Sequence, residues 1–179
     1  MAKPSKEQTI LLNELRDFVI DVMRDMPAWV DANVERLLTI PLGVLRRNAT
    51  QRHGVTRWKR GVDITSLEPE DVEVIDLHPR MLNEQWRAYS AFVLHHEYIH
   101  ALGLRAHNTL FRQLEAWPGN KASTHGILFT EHLRREKAIW LWCCPNCQQE
   151  FPRQKPSRRR YRCRKCNMTL VDKKNPDIV

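Results

Sequence analysis

The residues best suited to chemistry lie in the middle of the chain, at His96, Glu97 and His100. In a helix, residues four apart lie about 40° apart around the axis and about 6 Å apart along it, so both imidazoles can face one ion. Glu97 points about 100° away from His96, which makes it a poor third ligand. Its carboxylate can instead take a proton from a zinc-bound water, whose pKa the metal lowers to about 7. The spacing therefore predicts a hydrolytic zinc site with Glu97 as general base.

A third ligand is needed, and His107 is the first candidate. On an unbroken helix its side chain would lie about 10 Å beyond His100, so it can share the ion only if the chain turns at residues 103–106. Gly103 is a suitable residue for that turn. The alternatives left open are His125, Glu131 and His132. His95 faces away from the pair and is expected to pack in the interior.

Four cysteines near the end of the chain form a second candidate metal site. Cys144 with Cys147, and Cys163 with Cys166, are two CxxC pairs, which a redox dithiol would not require. Four thiolates complete a closed tetrahedral zinc site. A segment of about 30 residues buries little apolar surface, so the metal must supply most of its folding free energy. The pattern predicts a structural zinc, with Cys143 left over.

The segment between the two cysteine pairs is strongly basic. Residues 133–179 contain 13 Lys and Arg and 4 Asp and Glu, a net charge of +9, whereas residues 1–132 carry −1. Arginines pair with phosphates of any sequence, and an aromatic ring can stack on an unpaired base. The candidate nucleic-acid contacts are Arg153, Lys155, Arg158, Arg159, Arg160, Tyr161 and Arg162. Trp142 is a further stacking candidate, and Trp140 is expected to pack. The alternative interpretation of this positive charge is a solvated basic tail that aids solubility and binds no nucleic acid.

The motifs resemble those of the SprT-like (Spartan-related) zinc metallopeptidases. That family has HExxH, a variable spacer, then His followed by Gly and, three residues later, an aromatic. His107-Asn108-Thr109-Leu110-Phe111 is similar, with Asn108 in the place of the usual Gly. Residues 74–79 resemble the strand before the family's active-site helix, and residues 161–166 resemble the end of its zinc ribbon. The likeness extends over roughly residues 10–172.

The resemblance implies a fold, a reaction and partners. The fold is α+β, with a zincin-like domain of helices and a small sheet, HExxH on its central helix, and a zinc ribbon after it. The zinc ligands would be His96, His100 and His107, with Glu97 as general base. The reaction would be cleavage of proteins bound or crosslinked to DNA, with the ribbon recruiting single-stranded or junction-containing DNA. The metzincin pattern, HExxHxxGxxH, fits less well, because His107 is one residue too late and no Met-turn is evident.

Sequence patterns place these motifs within a domain plan. We expect the zincin domain at 1–138, the four-cysteine ribbon at 139–172 and a flexible tail at 173–179. Apolar periodicity predicts helices near 6–25, 28–38, 83–103, 108–118 and 128–139, and strands at 55–58 and 72–77. The second strand, which precedes the HExxH helix, is expected to form the substrate edge.

The composition limits the other functional classes. No run of about 18 apolar residues is present, and the first residues lack an apolar signal core, so a soluble intracellular protein is expected. It would lie in the cytoplasm near the nucleoid, or in the nucleus, without a membrane partner. Two rival functions remain open. One is a nucleic-acid-binding protein that uses the zincin domain only as a scaffold, and the other is a metallopeptidase whose ribbon binds proteins.

Overall fold

The computed structural model describes residues 3–116 and 122–178, with side chains of the second range given from Thr124 onward. The chain forms two compact units, Met1–Ala122 and Ser123–Val179. The α-helices are α1 (Lys6–Asp25), α2 (Arg87–Ala101), α3 (Thr109–Leu114) and α4 (Ala122–Lys137). The strands are β1 (Leu42–Val44), β2 (Gly54–Trp58), β3 (Val72–Leu77), β4 (Trp140–Cys143), β5 (Glu150–Arg153) and β6 (Val171–Lys174). Short 3-10 helices occupy Pro27–Trp29, Val34–Thr39, Pro69–Asp71, Pro79–Met81 and Glu84–Trp86.

Helix α1 confirms the prediction for residues 6–25. Ser5 and Gln8 form a capping box in which each side chain bonds the other residue's backbone N–H, at 3.1 and 2.9 Å. The buried side chains of α1 recur at intervals of three or four and form one apolar face: Leu12, Leu15, Val19, Ile20 and Met23. This face packs against α2.

The helical stretch predicted for residues 28–38 is confirmed in part, because it is 3-10 helix in two pieces and not one continuous helix. Two short 3-10 helices, Pro27–Trp29 and Val34–Thr39, occupy this region instead. Val34, Leu37 and Ile40 are all buried and are three residues apart. A repeat of three places side chains on one face of a 3-10 helix, whereas an α-helix would turn them progressively away from the core.

The sheet of the first unit has the strand order β1-β3-β2. Strand β1 is parallel to β3, and β2 is antiparallel to it, with Gly54 opposite Leu77. Both predicted strands are confirmed, whereas the three-residue β1 was too short to leave a pattern. The expectation that residues 72–77 form the substrate edge is wrong, because β3 is paired on both sides and β2 lies at the edge.

Helix α2 is the central element of the first unit. It is shorter than the predicted 83–103, because a 3-10 turn at Glu84–Trp86 precedes it and the helix ends at Ala101. It contacts α1, β2 and β3. Side chains are therefore buried around most of its circumference, including Tyr89, Ala91, Leu94, Tyr98 and Ile99. This packing fixes the position of the HExxH residues before any metal is considered.

The second unit contains α4 and an antiparallel sheet of order β5-β4-β6. Helix α4 begins earlier than the predicted residue 128. The Arg135 guanidinium donates to Glu150 at 2.6 Å and to Asp177 at 2.8 Å, and Asn175 donates to the carbonyls of Arg135 and Ala138. These bonds tie α4 to the ribbon strands.

The structure differs from the sequence prediction at the C-terminal end of the ribbon. Residues 173 and 174, assigned to a flexible tail, belong to β6, and Asn175 is buried, because the strand pairs with β4 beyond residue 172. The boundary expected at 138–139 falls between α4 and β4 and stays a prediction. Helix α3 starts where predicted, but it ends at Leu114, before the expected end at Pro118–Gly119, because Glu115 already forms its C-cap. Residues 118 and 119 themselves lie outside the described residues. Of the helices described, none is long and apolar enough to cross a membrane.

Candidate metal centres

Three histidine side chains of the first unit converge on one point. The Nε2 atom of His107 lies 3.2 Å from Nε2 of His96 and 3.1 Å from Nε2 of His100. Zinc–nitrogen bonds of about 2.0–2.1 Å in a tetrahedral site would place ligand nitrogens roughly 3.3 Å apart. The spacing of the three nitrogens therefore suits a single ion.

The turn required to bring His107 back is present. Helix α2 ends in a Schellman motif, in which the N–H of Leu104 donates to Ile99 O and the N–H of Gly103 donates to His100 O. Gly103 has φ +95°, and a Cβ there would lie 2.9 Å from the carbonyl oxygen of Leu67. Glycine is therefore required both by its backbone conformation and by the close approach of a neighbouring chain segment.

The other nitrogen of each helical histidine is already engaged. Nδ1 of His100 lies 2.7 Å from the carbonyl oxygen of Leu104, and Nδ1 of His96 lies 2.6 Å from a carboxylate oxygen of Glu115. Both partners accept hydrogen bonds, so both Nδ1 atoms carry the proton and both Nε2 lone pairs face the centre. Two lone pairs directed at one point call for a cation, so the donor set fits a zinc ion.

Helix α3 and its C-cap contribute two side chains that contact the histidine cluster, Phe111 and Glu115. Asn108 caps α3: its side-chain oxygen accepts a hydrogen bond from the N–H of Phe111 at 2.9 Å. The resemblance leads one to expect Gly at this position, and Gly has no side chain that could form this bond. The fully buried Phe111 ring packs against all three imidazoles, with centroid distances of 4.6–4.9 Å. Glu115, four residues further, lies on the same face of the helix.

Burial and hydrogen bonding keep these groups in their ligand forms. Burial lowers the pKa of both His96 and His100 below the ordinary value, which favours neutral imidazoles. Burial raises the pKa of Glu115, but hydrogen bonds from His96 and Arg112 outweigh that effect and leave its pKa lowered. Glu115 was not singled out from the sequence, and its only signal is its spacing of eight residues from His107.

Glu97 is buried beside the histidine cluster. Its Oε2 accepts a hydrogen bond from the hydroxyl of Thr56 at 2.8 Å, and its side chain is almost inaccessible to solvent. Burial raises the pKa of Glu97 to about 7, against the opposing effect of the Thr56 hydrogen bond. Glu97 does not belong to the cluster of ligand atoms that the three histidines form, as the helical geometry predicts for a residue between two ligands.

A cleft runs along the edge strand past these residues. Its lining is Gly54, Val55, Thr56, Trp58, His96, Glu97, His100, Arg105 and His107. Strand β2 forms one wall, and the loop that follows Gly103 contributes Arg105 and His107. The histidines and Glu97 therefore face a space that an extended chain can enter.

The other histidine candidates lie elsewhere. His125, Glu131 and His132 belong to α4, and neither cluster of metal-binding side chains found among the described residues includes them. Buried His95 accepts a hydrogen bond from Trp29 Nε1 at 3.1 Å, and burial lowers its pKa to about 4, as suits a packed neutral ring. The assignment of His107 as third ligand stays a prediction that the geometry favours.

The four predicted cysteines form the second cluster. Their sulfurs lie within 4.8 Å of one another, with 3.2 Å between Cys144 and Cys166 and 3.6 Å between Cys147 and Cys163. Zinc–sulfur bonds of about 2.3 Å would set tetrahedral sulfurs roughly 3.8 Å apart. The leftover Cys143 lies at the end of β4 with its sulfur against the Leu141 carbonyl and Glu150, outside the cluster.

The two CxxC segments have the same pattern of backbone hydrogen bonds. In the first, Cys144 O accepts from Gln148 N–H, and in the second, Cys163 O accepts from Asn167 N–H. Gln148 and Asn167 both have positive φ, 57° and 56°. Two matching turns bring their cysteines to one centre from opposite sides, which is the arrangement of a zinc knuckle pair.

The matches to known proteins agree with this geometry. Residues 139–174 match the family model of the SprT-like zinc ribbon domain. The C-terminal segment is therefore a zinc ribbon of the SprT-like type, and the chain as a whole is similar to SprT-like proteins. A protein named Protein SprT-like from Streptococcus equi subsp. zooepidemicus (strain H70) is 25% identical over 125 residues, covering 65% of this chain and 81% of the relative. The protein of the same name from Streptococcus equi subsp. equi (strain 4047) is 24% identical over the same length. No solved structure matches.

The basic arm of the ribbon lies around an aromatic stack. The Trp142 and Tyr161 rings are stacked with centroids 4.4 Å apart, and the Arg153 guanidinium lies 5.0 Å from the Trp142 ring. Trp142 Nε1 donates to Lys155 O, and the Asp172 carboxylate accepts from the N–H groups of Ser157 and Arg158. An open groove beside the stack is lined by Trp142, Arg153, Gln154, Lys155, Pro156, Ser157, Arg158, Arg160 and Tyr161.

The remaining residues of the SprT-like ribbon are placed as follows. Arg159 is exposed on the same loop, and Arg162 pairs with Thr169 in an isolated antiparallel bridge that flanks the second CxxC segment. Trp140 is half-buried, with the Lys174 ammonium 4.0 Å from its ring. Of the basic residues predicted to bind nucleic acid, Arg153, Lys155, Arg158 and Arg160 line one groove with Tyr161. Their role stays a prediction.

Proposed function

We propose that this SprT-like chain is a zinc-dependent metalloendopeptidase that cleaves proteins bound or crosslinked to DNA. The observation that carries the proposal is the convergence of three Nε2 atoms beside the buried carboxylate of Glu97, in a cleft along an edge strand. A binding scaffold would have no use for a carboxylate at that position. The zincin-like fold is part of the proposal, supported by HExxH on the central helix of a small α+β domain.

The residues have distinct roles in this reaction. His96, His100 and His107 would hold the zinc, which when bound polarises a peptide carbonyl and acidifies a water molecule. Glu97 takes a proton from the attacking water and passes it to the departing amine. A carboxyl group whose pKa is raised towards neutrality by burial suits both transfers.

Strand β2 supplies a means of holding the substrate. It pairs only with β3 in the described sheet, so the backbone groups on its outer edge are available to an extended peptide. A peptide added there would run along the cleft past His96 and Glu97. Main-chain pairing of this kind depends little on side chains, which suits an enzyme that acts on many proteins.

The ribbon is proposed to bring the enzyme to DNA. Tyr161 is 52% exposed and ends the Arg153–Trp142–Tyr161 stack, so a base can extend the stack on its outer face. Duplex bases are already stacked on one another, so this surface favours single-stranded DNA or junctions. The arginines around it would pair with phosphates. The site of action would then be the nucleoid or the nucleus, with one catalytic and one structural zinc ion per chain.

The test compares zinc-loaded wild type with Glu97→Gln on a DNA-bound basic protein, each with and without single-stranded DNA. We expect only wild type to cleave, and DNA to accelerate cleavage, while both proteins bind two zinc ions. Glutamine has nearly the same shape but cannot accept the proton, so at least a hundredfold loss is expected. An active Glu97→Gln variant would exclude the mechanism, and two zinc-loaded but inactive proteins would favour the binding-scaffold function.

Tyr161→Ala tests the role of the ribbon, with Ile139→Ala as a control that removes an exposed apolar side chain outside the groove. We expect the tyrosine variant alone to lose affinity for single-stranded DNA. The plot of log K against log salt should fall with rising salt, because phosphate binding releases counterions. A slope near zero would exclude phosphate contacts and favour a ribbon that binds proteins.

A further inference from the structure

A hydroxyl group on the edge strand holds one oxygen of the proposed general base. Thr56 Oγ1 lies 2.8 Å from Glu97 Oε2 and 3.1 Å from the backbone oxygen of Glu97. A threonine hydroxyl has one proton, and the nearer, charged oxygen is the stronger acceptor. The hydrogen bond therefore goes from Thr56 to the carboxylate.

The second carboxylate oxygen is limited by space. A Cβ at Gly54 would lie 2.7 Å from Glu97 Oε1 and 2.7 Å from Val93 Cγ1, so only glycine leaves room there. Gly54 and Thr56 are two residues apart on β2 and therefore face the same side of the strand, towards α2. One short segment of β2 thus contacts both oxygens of Glu97.

We propose that Thr56 is a positioning residue, which fixes the Glu97 carboxylate through Oε2 and leaves Oε1 at the cleft for proton transfer. The inference rests on the proposed peptidase function. Glu97 has three rotatable side-chain bonds, and Thr56 is the hydroxyl that restrains the end of that side chain. The strand that would pair with a peptide substrate thereby also holds the base that acts on it.

The test uses Thr56→Val, which keeps the shape and removes the hydroxyl, and Thr56→Ser, which keeps the hydroxyl. We expect Thr56→Val to lower kcat about tenfold with KM and zinc content unchanged, as for loss of a hydrogen bond to a charged group. Thr56→Ser should stay within about twofold of wild type. Wild-type kcat in Thr56→Val, loss of zinc from it, or an equal loss in Thr56→Ser would each overturn the proposal.

Crystal structures of the same two variants test the inference without relying on activity. We expect the Glu97 carboxylate to leave its position in Thr56→Val and to keep it in Thr56→Ser. A carboxylate that is unmoved in Thr56→Val would overturn the positioning role. If wild type cleaves no protein, the proposed function fails, while the crystal structures still decide whether Thr56 holds Glu97.

Discussion

The histidine cluster and the cysteine cluster differ in how they are built. The histidines stand on a central helix and on the turn that follows it, above the buried ring of Phe111. The cysteines stand on two short turns in a unit whose strands are only four residues long. The first cluster is held by an apolar core, whereas the second has few apolar side chains beyond Leu170, Phe151 and Trp142 to hold it.

The clusters also differ in what they leave open. Four thiolates complete a tetrahedral site and leave no position for a substrate, as in structural zinc sites. Three imidazoles leave one position free, and here that side faces a cleft with a buried carboxylate. The comparison shows that the number of ligands and the surrounding packing, more than the metal, separate a structural role from a catalytic one.

The largest effect is expected at the cysteine site, where bound zinc would supply most of the folding free energy. In Cys144→Ser we expect the NMR signals of residues 139–174 to collapse towards unfolded positions, the bound zinc to fall from two ions to one, and the signals of α2 to persist. The neighbouring Cys143→Ser is the matched control, since its sulfur lies outside the cluster. A folded ribbon in Cys144→Ser would show that packing, and not zinc, holds this unit together.

An intermediate effect is expected at the carboxylate behind His96. Glu115→Gln should weaken zinc binding at the histidine site about 10- to 100-fold, because the amide is a poorer acceptor for the His96 N–H than a carboxylate. Competition with a chromophoric chelator measures this affinity. Arg112→Ala, which removes the other partner of Glu115, is the control and should change affinity less. Equal affinity in Glu115→Gln and wild type would mean that Glu115 does not orient the ligand.

The smallest effect is expected at the cap of α3. Asn108→Ala should lower the free energy of unfolding of the first unit by about 1 kcal/mol, and Asn108→Gly by only a few tenths, because glycine is a better N-cap residue than alanine. Urea unfolding of the full chain, followed through NMR signals of α2, measures both. If neither substitution lowers the free energy of unfolding, the Asn108 side chain contributes nothing to the cap.

Local sequence patterns predicted which candidate ligands lie close together in the structure. The 3.6-residue periodicity placed His96, Glu97 and His100 on one helix, and the glycine at 103 predicted the turn that returns His107 to them. The CxxC spacing identified the four sulfurs that the fold gathers. These predictions succeeded because each depends on residues close together in the chain, where backbone geometry limits the possible arrangements.

Other features depended on contacts between distant segments. The sequence analysis did not identify β2, and not β3, as the sheet edge, because the edge is decided by which distant segments pair with each strand. Thr56 lies 41 residues from Glu97 and carries no motif of its own.

The sequence by itself determined the candidate metal ligands and the candidate carboxylate for proton transfer, because these depend on residue type and local spacing. The tertiary structure alone decided what surrounds them: Glu115 behind His96, Phe111 beneath the three rings, and Gly54 and Thr56 against Glu97. Close approach of separate elements depends on how their surfaces pack, and no periodicity within one element records it.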